Sequence, residues 1–305
     1  MAQGSQRQLL YVAESTFGTT PGTPTMKVLR NTGGNGITQS RNQLLSQEMR
    51  SDRQIASMRL GTKRPILDIP FELSFASFDD ILESAMFSTW DTGAIPEALE
   101  TGVTQKSFTI EEGFLDIGTY LVSRGMVVDE FSISARPDAM VTGNVRFAGK
   151  AVESPSATAL DSTPDAAPTT DPFTTYEGVI NVDGSPVGLI SSFDLSVANG
   201  LDPKFPVFAQ EAYRMGYGRS NTTGTVNVFF EDADLLTKAI EETEISISID
   251  FTDVAGNILR LTLPRVKFGD ETRNVQENDI TENLPWQALY DETAQTNIKW
   301  ERIPV

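Results

Sequence analysis

The sequence predicts a mainly β protein made of two copies of one β-sandwich or open-barrel unit, and three observations carry that expectation. The first is alternation with a period of two. Phe131 and Ile133, Val145 and Phe147, Phe193, Leu195 and Val197, Ile245, Ile247 and Ile249, and Leu259, Leu261 and Leu263 each alternate with mostly polar residues. One wetted face per strand gives this pattern, and it belongs to antiparallel sheets. The second is turn chemistry between the runs, VDGSP at 182–186 and DVAGN at 253–257, residues that accept the backbone angles of tight hairpins. The third is an internal repeat: RLGTKRPILDIPFELSFASFDDILESAM from Arg59 returns as RMGYGRSNTTGTVNVFFEDADLLTKAI from Arg214, 155 residues later. Solenoid repeats are about 20–50 residues long, so a unit of this length points to domain duplication. A duplicated domain can occupy two successive positions of a ring.

Taken in order, the first 65 residues contain TFGTTPGTPT at 16–25 and NTGGNG at 31–36, too rich in Gly, Pro and Thr for regular structure. The polar stretch 40–65 follows and gathers Arg50, Arg53, Arg59, Lys63 and Arg64 in an otherwise acidic chain. Such a basic knob complements the acidic surface of another copy; a solvated hairpin tip explains the same residues. The repeated unit comes next. Each copy has an Arg-x-Gly hairpin segment and then a strand, Ile69, Phe71, Leu73 and Phe75 against Val226, Val228 and Phe230. A short helix closes each copy, with Asp80, Ile81, Leu82 and Ala85 matching Asp234, Leu235, Leu236 and Ala239. Ser77 and Asp232 stand where N-caps are expected, and acidic residues fill each first turn. GNVRFAGK at 143–150 has one residue too many for a phosphate-binding loop and Ala151 where a hydroxyl is needed, so it is read as strand and turn. Residues 151–172, AVESPSATALDSTPDAAPTTDP, lack apolar periodicity and are expected to be a linker or surface loop. The division is therefore 1–150 for copy one and 173–305 for copy two.

Composition excludes much chemistry. The chain has no cysteine and no histidine, which removes thiol chemistry, disulfides and histidine-based catalysis or metal ligation. The acidic groups Glu231, Asp232 and Asp234, and Glu241, Glu242 and Glu244, lack the alternate-carboxylate spacing of a calcium loop. No cofactor, no metal and no catalytic residue is expected. A formal net charge of −18 argues against a general grip on nucleic acid by phosphate neutralisation. MAQGSQRQLL has no apolar signal region, and no apolar run approaches the ~18 residues of a membrane span. A soluble protein made in the cytoplasm, with no membrane partner, is the expectation.

Several segments together carry a family resemblance. YVAESTFGTTPGTPTMKVLRNTG, the repeat from Arg59, FTIEEGFLDIGTYLVSRGMVVDEFSISARPDAMVTGNVRFAGK and FFEDADLLTKAIEETEISISIDFTDVAGNILRLTLPRVKFGDE resemble the tail tube (major tail) proteins of long non-contractile-tailed bacteriophages, along nearly the whole chain. The resemblance implies two tail-tube domains, each a β-sandwich with a flanking helix, that contribute strands to a ring-shaped inner β-barrel. It implies a homotrimer of pseudo-six-fold symmetry, stacked head-to-tail into the tail of a virion assembled in the host bacterial cytoplasm. Implied partners are tail tip and tail terminator proteins, a tape-measure protein in the lumen, and viral DNA that passes without specific binding. In the family, loops near the N-terminus and before the helix stack one ring on the next. Arg50, Arg53, Arg59, Lys63 and Arg64, with Arg214 and Arg219 in the less basic second copy, are the candidate inter-ring contacts. An acidic lumen would suit sliding DNA.

Two rival classes compete with that reading. A β-sandwich binding or capsid-decoration module predicts a monomer or small oligomer with exposed aromatics. A glycosidase needs two carboxyl groups about 5–10 Å apart in a cleft, and no spacing nominates such a pair.

Overall fold

The structure, a computed structural model, describes residues 2–231, 234–277 and 279–305. Along the first half, β1 (Arg7–Ala13), β2 (Lys27–Val28) and β3 (Thr38–Ser40) precede a hairpin of β4 (Gln43–Leu45) and β5 (Met58–Leu60). β6 (Arg64–Glu72) leads into α1 (Asp79–Met86), followed by β7 (Glu97–Glu100), β8 (Phe108–Phe114), β9 (Thr119–Ala135), β10 (Thr142–Ala148) and β11 (Ala151–Val152). These strands form two layers that share β9. Its first part pairs with β8, and β8 with β1; its second part pairs with β10, and β10 with β6. The crossing is made at Gly125, where φ is +64° and a Cβ would lie 2.8 Å from Lys150 Cβ, so only glycine fits both the angle and the space. Leu67, Ile69 and Phe71 from β6 meet Leu9, Tyr11, Phe108 and Ile110 from the other layer in one core.

α1 plugs this sandwich through Ile81, Leu82, Ala85 and Met86. Its N-cap position is Phe78, without a side-chain cap hydrogen bond, which corrects the expectation that Ser77 caps it. Phe78 is drawn into the core against Phe71, ring centroids 4.4 Å apart. Ser77 Oγ instead accepts from Ser74 and Arg30. Asp79 and Asp80 supply negative charge to the first turn.

In the second half, β12 (Gly178–Val182) and β13 (Ser185–Pro186) form a hairpin, turned by Asp183 and Gly184 at φ +51° and +75°, as VDGSP predicts. β14 (Ile190–Ala198), a second hairpin of β15 (Asp202–Lys204) and β16 (Arg214–Gly216), β17 (Asn221–Phe229) and α2 (Asp234–Ile240) follow. Then come β18 (Ile245–Thr252), β19 (Ile258–Phe268), β20 (Thr272–Val275), β21 (Ile280–Ala288) and β22 (Lys299–Ile303). The β18–β19 turn at 253–257 uses Gly256 at φ +92° and an Asp253 carboxylate that accepts the Asn257 N–H at 2.8 Å. β14, β17, β21 and β20 pair in that order; β12, β18, β19 and β22 pair in a second layer. The expected cap Asp232 lies outside the described residues.

The halves join along two seams. β9 pairs with β14 antiparallel, from Ala135↔Phe193 to Glu130↔Ala198, and β22 pairs with β7. The first seam makes one continuous sheet in the order β3–β6–β10–β9–β14–β17–β21–β20. Among the described residues it is open and does not close into a barrel. Residues 151–172 run along the first half, held by polar contacts: Leu160 N–H donates to Glu111, Asp165 exchanges backbone hydrogen bonds with Met26 and Val28, and Thr170 bonds Phe75 O.

Candidate assembly surface

The continuous sheet packs one face on the core and turns the other outward. Alternation fixes which residues show. On the outward face β6 presents Asp68 and Glu72, β10 Thr142, Asn144 and Arg146, β9 Glu130, Ser132 and Ser134, and β14 Asp194 and Ser196. β17 adds Thr223, Thr225 and Asn227, and β21 adds Thr281, Asn283 and Gln287. The charges all lie on the first half or at the seam. Two guanidiniums lie near an acid: Arg136, just beyond β9, holds Asp194 with two hydrogen bonds of 2.9 and 2.7 Å, and Arg146 lies 4.0 Å from Asp68; Arg64, at the end of the same face on β6, stacks on the Phe205 ring instead. Ser196 Oγ donates to Glu130 at 2.8 Å. β17 and β21 offer this face only hydroxyl, amide and apolar groups. It is thus mildly acidic on one side and uncharged on the other, and most of the −18 lies elsewhere.

The predicted basic residues fall into separate groups. Arg50, Arg53 and Arg59 lie on the exposed β4–β5 arm. Arg50 grips Asp52, and that hydrogen bond holds the Asp52 carboxyl below its ordinary pKa. Arg53 takes φ +59° in the turn, and Arg59 pairs in register with Leu44. Lys63 and Arg64 are engaged within the chain: Lys63 Nζ reaches Glu211 at 2.7 Å, and the Arg64 guanidinium stacks 5.4 Å from the Phe205 ring centre. Both contacts tie the first half to the β15–β16 hairpin. Arg214 is exposed on β16, and Arg219 borders a groove with Gln287 and Tyr290.

Charge-based reasoning missed the apolar content of the same elements. Leu44, Leu45, Met49, Ile55, Met58 and Leu60 are all exposed on the arm. The only period-two signal among them is Met58 and Leu60, with Arg59 between them. The β15–β16 hairpin is instead seated, with Ala212 and Met215 buried against Phe87 and Val127 in a satellite core. The Phe87 and Tyr217 rings meet edge-on there at 5.2 Å.

The other seam is electrostatic. Arg302 of β22 pairs with Asp79 and Glu97 and stacks on Trp90 at 4.4 Å. Beside it Asp80 accepts from Tyr11, Lys27 and Lys106. Burial alone would raise the Asp80 pKa, but the hydrogen bonds from Lys106 and Lys27 hold it below its ordinary value. Among the described residues no group of three or more acidic side chains is arranged to hold a metal ion, and no helix is long and apolar enough to cross a membrane.

A family model described as phage tail tube protein matches residues 4–288. No curated protein matches the chain.

Proposed function

This chain belongs to the phage tail tube family, a structural and non-enzymatic family, and from that premise we propose that it polymerises as stacked rings into the hollow tail tube of a siphophage, the conduit for genome ejection. Its halves, 1–150 and 173–305, are two tail-tube domains at successive positions of a ring, so that three chains close with pseudo-six-fold symmetry. The tube runs from tail tip to tail terminator proteins in the virion and holds a tape-measure protein until DNA passes.

The observation that carries the proposal is the strand order of the continuous sheet. β3–β6–β10–β9 and β14–β17–β21–β20 run side by side, and in each set a helix directly follows the second strand. The β9–β14 seam therefore serves as the template for a seam between chains, from β20 to β3 of the next copy. A lone chain leaves both edges unpaired, and head-to-tail closure removes them. The outward polar face then becomes the lumen wall. Arg50, Arg53 and Arg59 on the arm, with Arg214 and Arg219, face the adjacent ring, while Lys63 and Arg64 brace the base of the arm.

Electron microscopy of the purified chain tests this. Hollow rings of three copies and tubes stacked from them are expected. A protein that stays dispersed as monomers at every concentration would contradict it, and would favour the decoration-module alternative.

A further inference from the structure

The two hairpins that lead into the repeated strands occupy unequal surroundings. In β15–β16, Pro203 opposes Met215 and Lys204 opposes Arg214. Met215 is 3% exposed, seated against the C-terminal end of α1 and the end of β10 by way of Phe87 and Ala148. In β4–β5, Gln43 opposes Leu60 and Leu45 opposes Met58, so Leu45, Met58 and Leu60 form an apolar stripe on one face. Leu60 stands in Arg59-Leu60-Gly61 where Met215 stands in Arg214-Met215-Gly216, yet it is 43% exposed. The same side-chain position is seated in one copy and bare in the other.

The seat is bare as well. The repeat carries Met86, 1% exposed, onto Ile240, 65% exposed, at the end of α2, and the seat residue Phe87 onto the exposed Glu241. Phe147 pairs with Val128 as Ala288 pairs with Val266, which carries Ala148 onto Leu289. There Gln287, Leu289 and Tyr290 line a groove of about 590 Å³. Arg265 bonds both the Tyr290 carbonyl and Glu244, which keeps the groove beside the α2 end. Glu241 and Glu242, just after α2, and Glu292, two residues after Tyr290, are exposed.

We infer that the β4–β5 arm of one copy docks its Leu45–Met58–Leu60 stripe into the Leu289–Tyr290 groove beside Ile240 of the neighbouring copy in the same ring, as β15–β16 docks within the chain. The inference rests on the ring reading above. It assigns the stripe to a lateral contact and leaves the cations of the opposite face and tip to the ring above or below. The lateral contact so assigned is apolar, driven by burial of the stripe, whereas the contact of the cations is electrostatic and weakens with salt.

The absence of native cysteine makes the test clean. Leu60→Cys and Leu289→Cys are combined in the full chain, which is assembled and treated with a short bis-maleimide. Lateral docking links each copy to the next and closes, so the covalent ladder should end at the trimer. A ladder that climbs without limit would place the contact between rings and overturn the inference, as would tubes that assemble but do not crosslink. In parallel, Met58→Asp with Leu60→Asp should give a folded monomer, with unchanged circular dichroism and no rings; normal rings from that variant would also overturn it. A wild-type chain that never forms rings removes the assembly reading itself, and the docking with it.

Discussion

At the scale of single residues, two carboxylates respond to pH in opposite senses. Asp80 is held below its ordinary pKa by Lys106 and Lys27 against the effect of burial, so its contribution is present above the unfolded pKa, about 4, and is lost as pH falls through the lower folded value. Asp80→Asn should cost about 1–2 kcal/mol at pH 7, and the gap from wild type in chemical denaturation should shrink below about pH 3. Glu111 is the reverse case. Burial pushes its pKa up, opposed by the Leu160 N–H, and its Oε1 has no hydrogen-bond partner among the described residues. The ionised form is penalised in the fold, so stability falls as pH rises through the folded value. Glu111→Gln should therefore stabilise by about 1 kcal/mol at pH 7 and converge with wild type near pH 4; equal melting temperatures at both pH values would refute this. Neither environment was legible in the sequence. Asp80 looks like an ordinary first-turn acid, and its partners arrive from residues 27 and 106, far along the chain.

At the scale of elements, alternation and turn residues made the strands of both halves and the 182–186 and 253–257 hairpins legible. Three features were not. The cap of α1 was missed because core packing claimed Phe78. The β9 crossing was missed because TYLVSRGMVVDEFSISA gives no cue, apart from Gly125, that one strand serves two layers. The seated and bare hairpins were missed because identical local patterns meet different neighbours. The helices also differ in burial. Ile81, Leu82, Ala85 and Met86 of α1 are buried, whereas Ala239 is the buried residue of α2 among those described. Leu82→Ala should cost about 2–5 kcal/mol, and Leu235→Ala about 1 kcal/mol, in equilibrium unfolding of the isolated chain. Gly224 is a sharper test of strand packing. A Cβ there would lie 2.0 Å from Asp194 O and 2.3 Å from Trp286 Cζ2, and neither a paired backbone nor a buried indole can move aside. Gly224→Ala should cost about 3 kcal/mol or more and appear as loss of soluble protein; a normally stable variant would show that β14 and β17 do not meet in this register.

At the scale of the whole molecule, net charge indicated the sign of the surface but not its distribution. The sheet face proposed to line the lumen carries Asp68, Glu72, Glu130 and Asp194 against Arg146, Arg136 and, at its end, Arg64, and the β17 and β21 sector is uncharged. In a ring of three chains, charged and uncharged sectors would alternate, giving the wall three-fold electrostatics around a pseudo-six-fold frame. What lets DNA slide is then less repulsion than the scarcity of free cations, since Arg136 is held by Asp194, Arg146 lies near Asp68 and Arg64 is stacked on Phe205. Stacking makes the argument quantitative, because a cation added once per chain recurs in every ring, and each phosphate neutralised adds about −0.9 to the slope of log K against log salt. Thr281→Lys with Asn283→Lys puts two unpaired ammonium groups on the uncharged sector. Assembled variant tubes should bind duplex DNA with a steep salt dependence, and phage carrying them should build normal tails but eject DNA slowly. Wild-type tubes should show neither effect. Tight, strongly salt-dependent binding of duplex by wild-type tubes would mean that the wall grips its cargo, and the sliding account would fail even with the tube architecture intact.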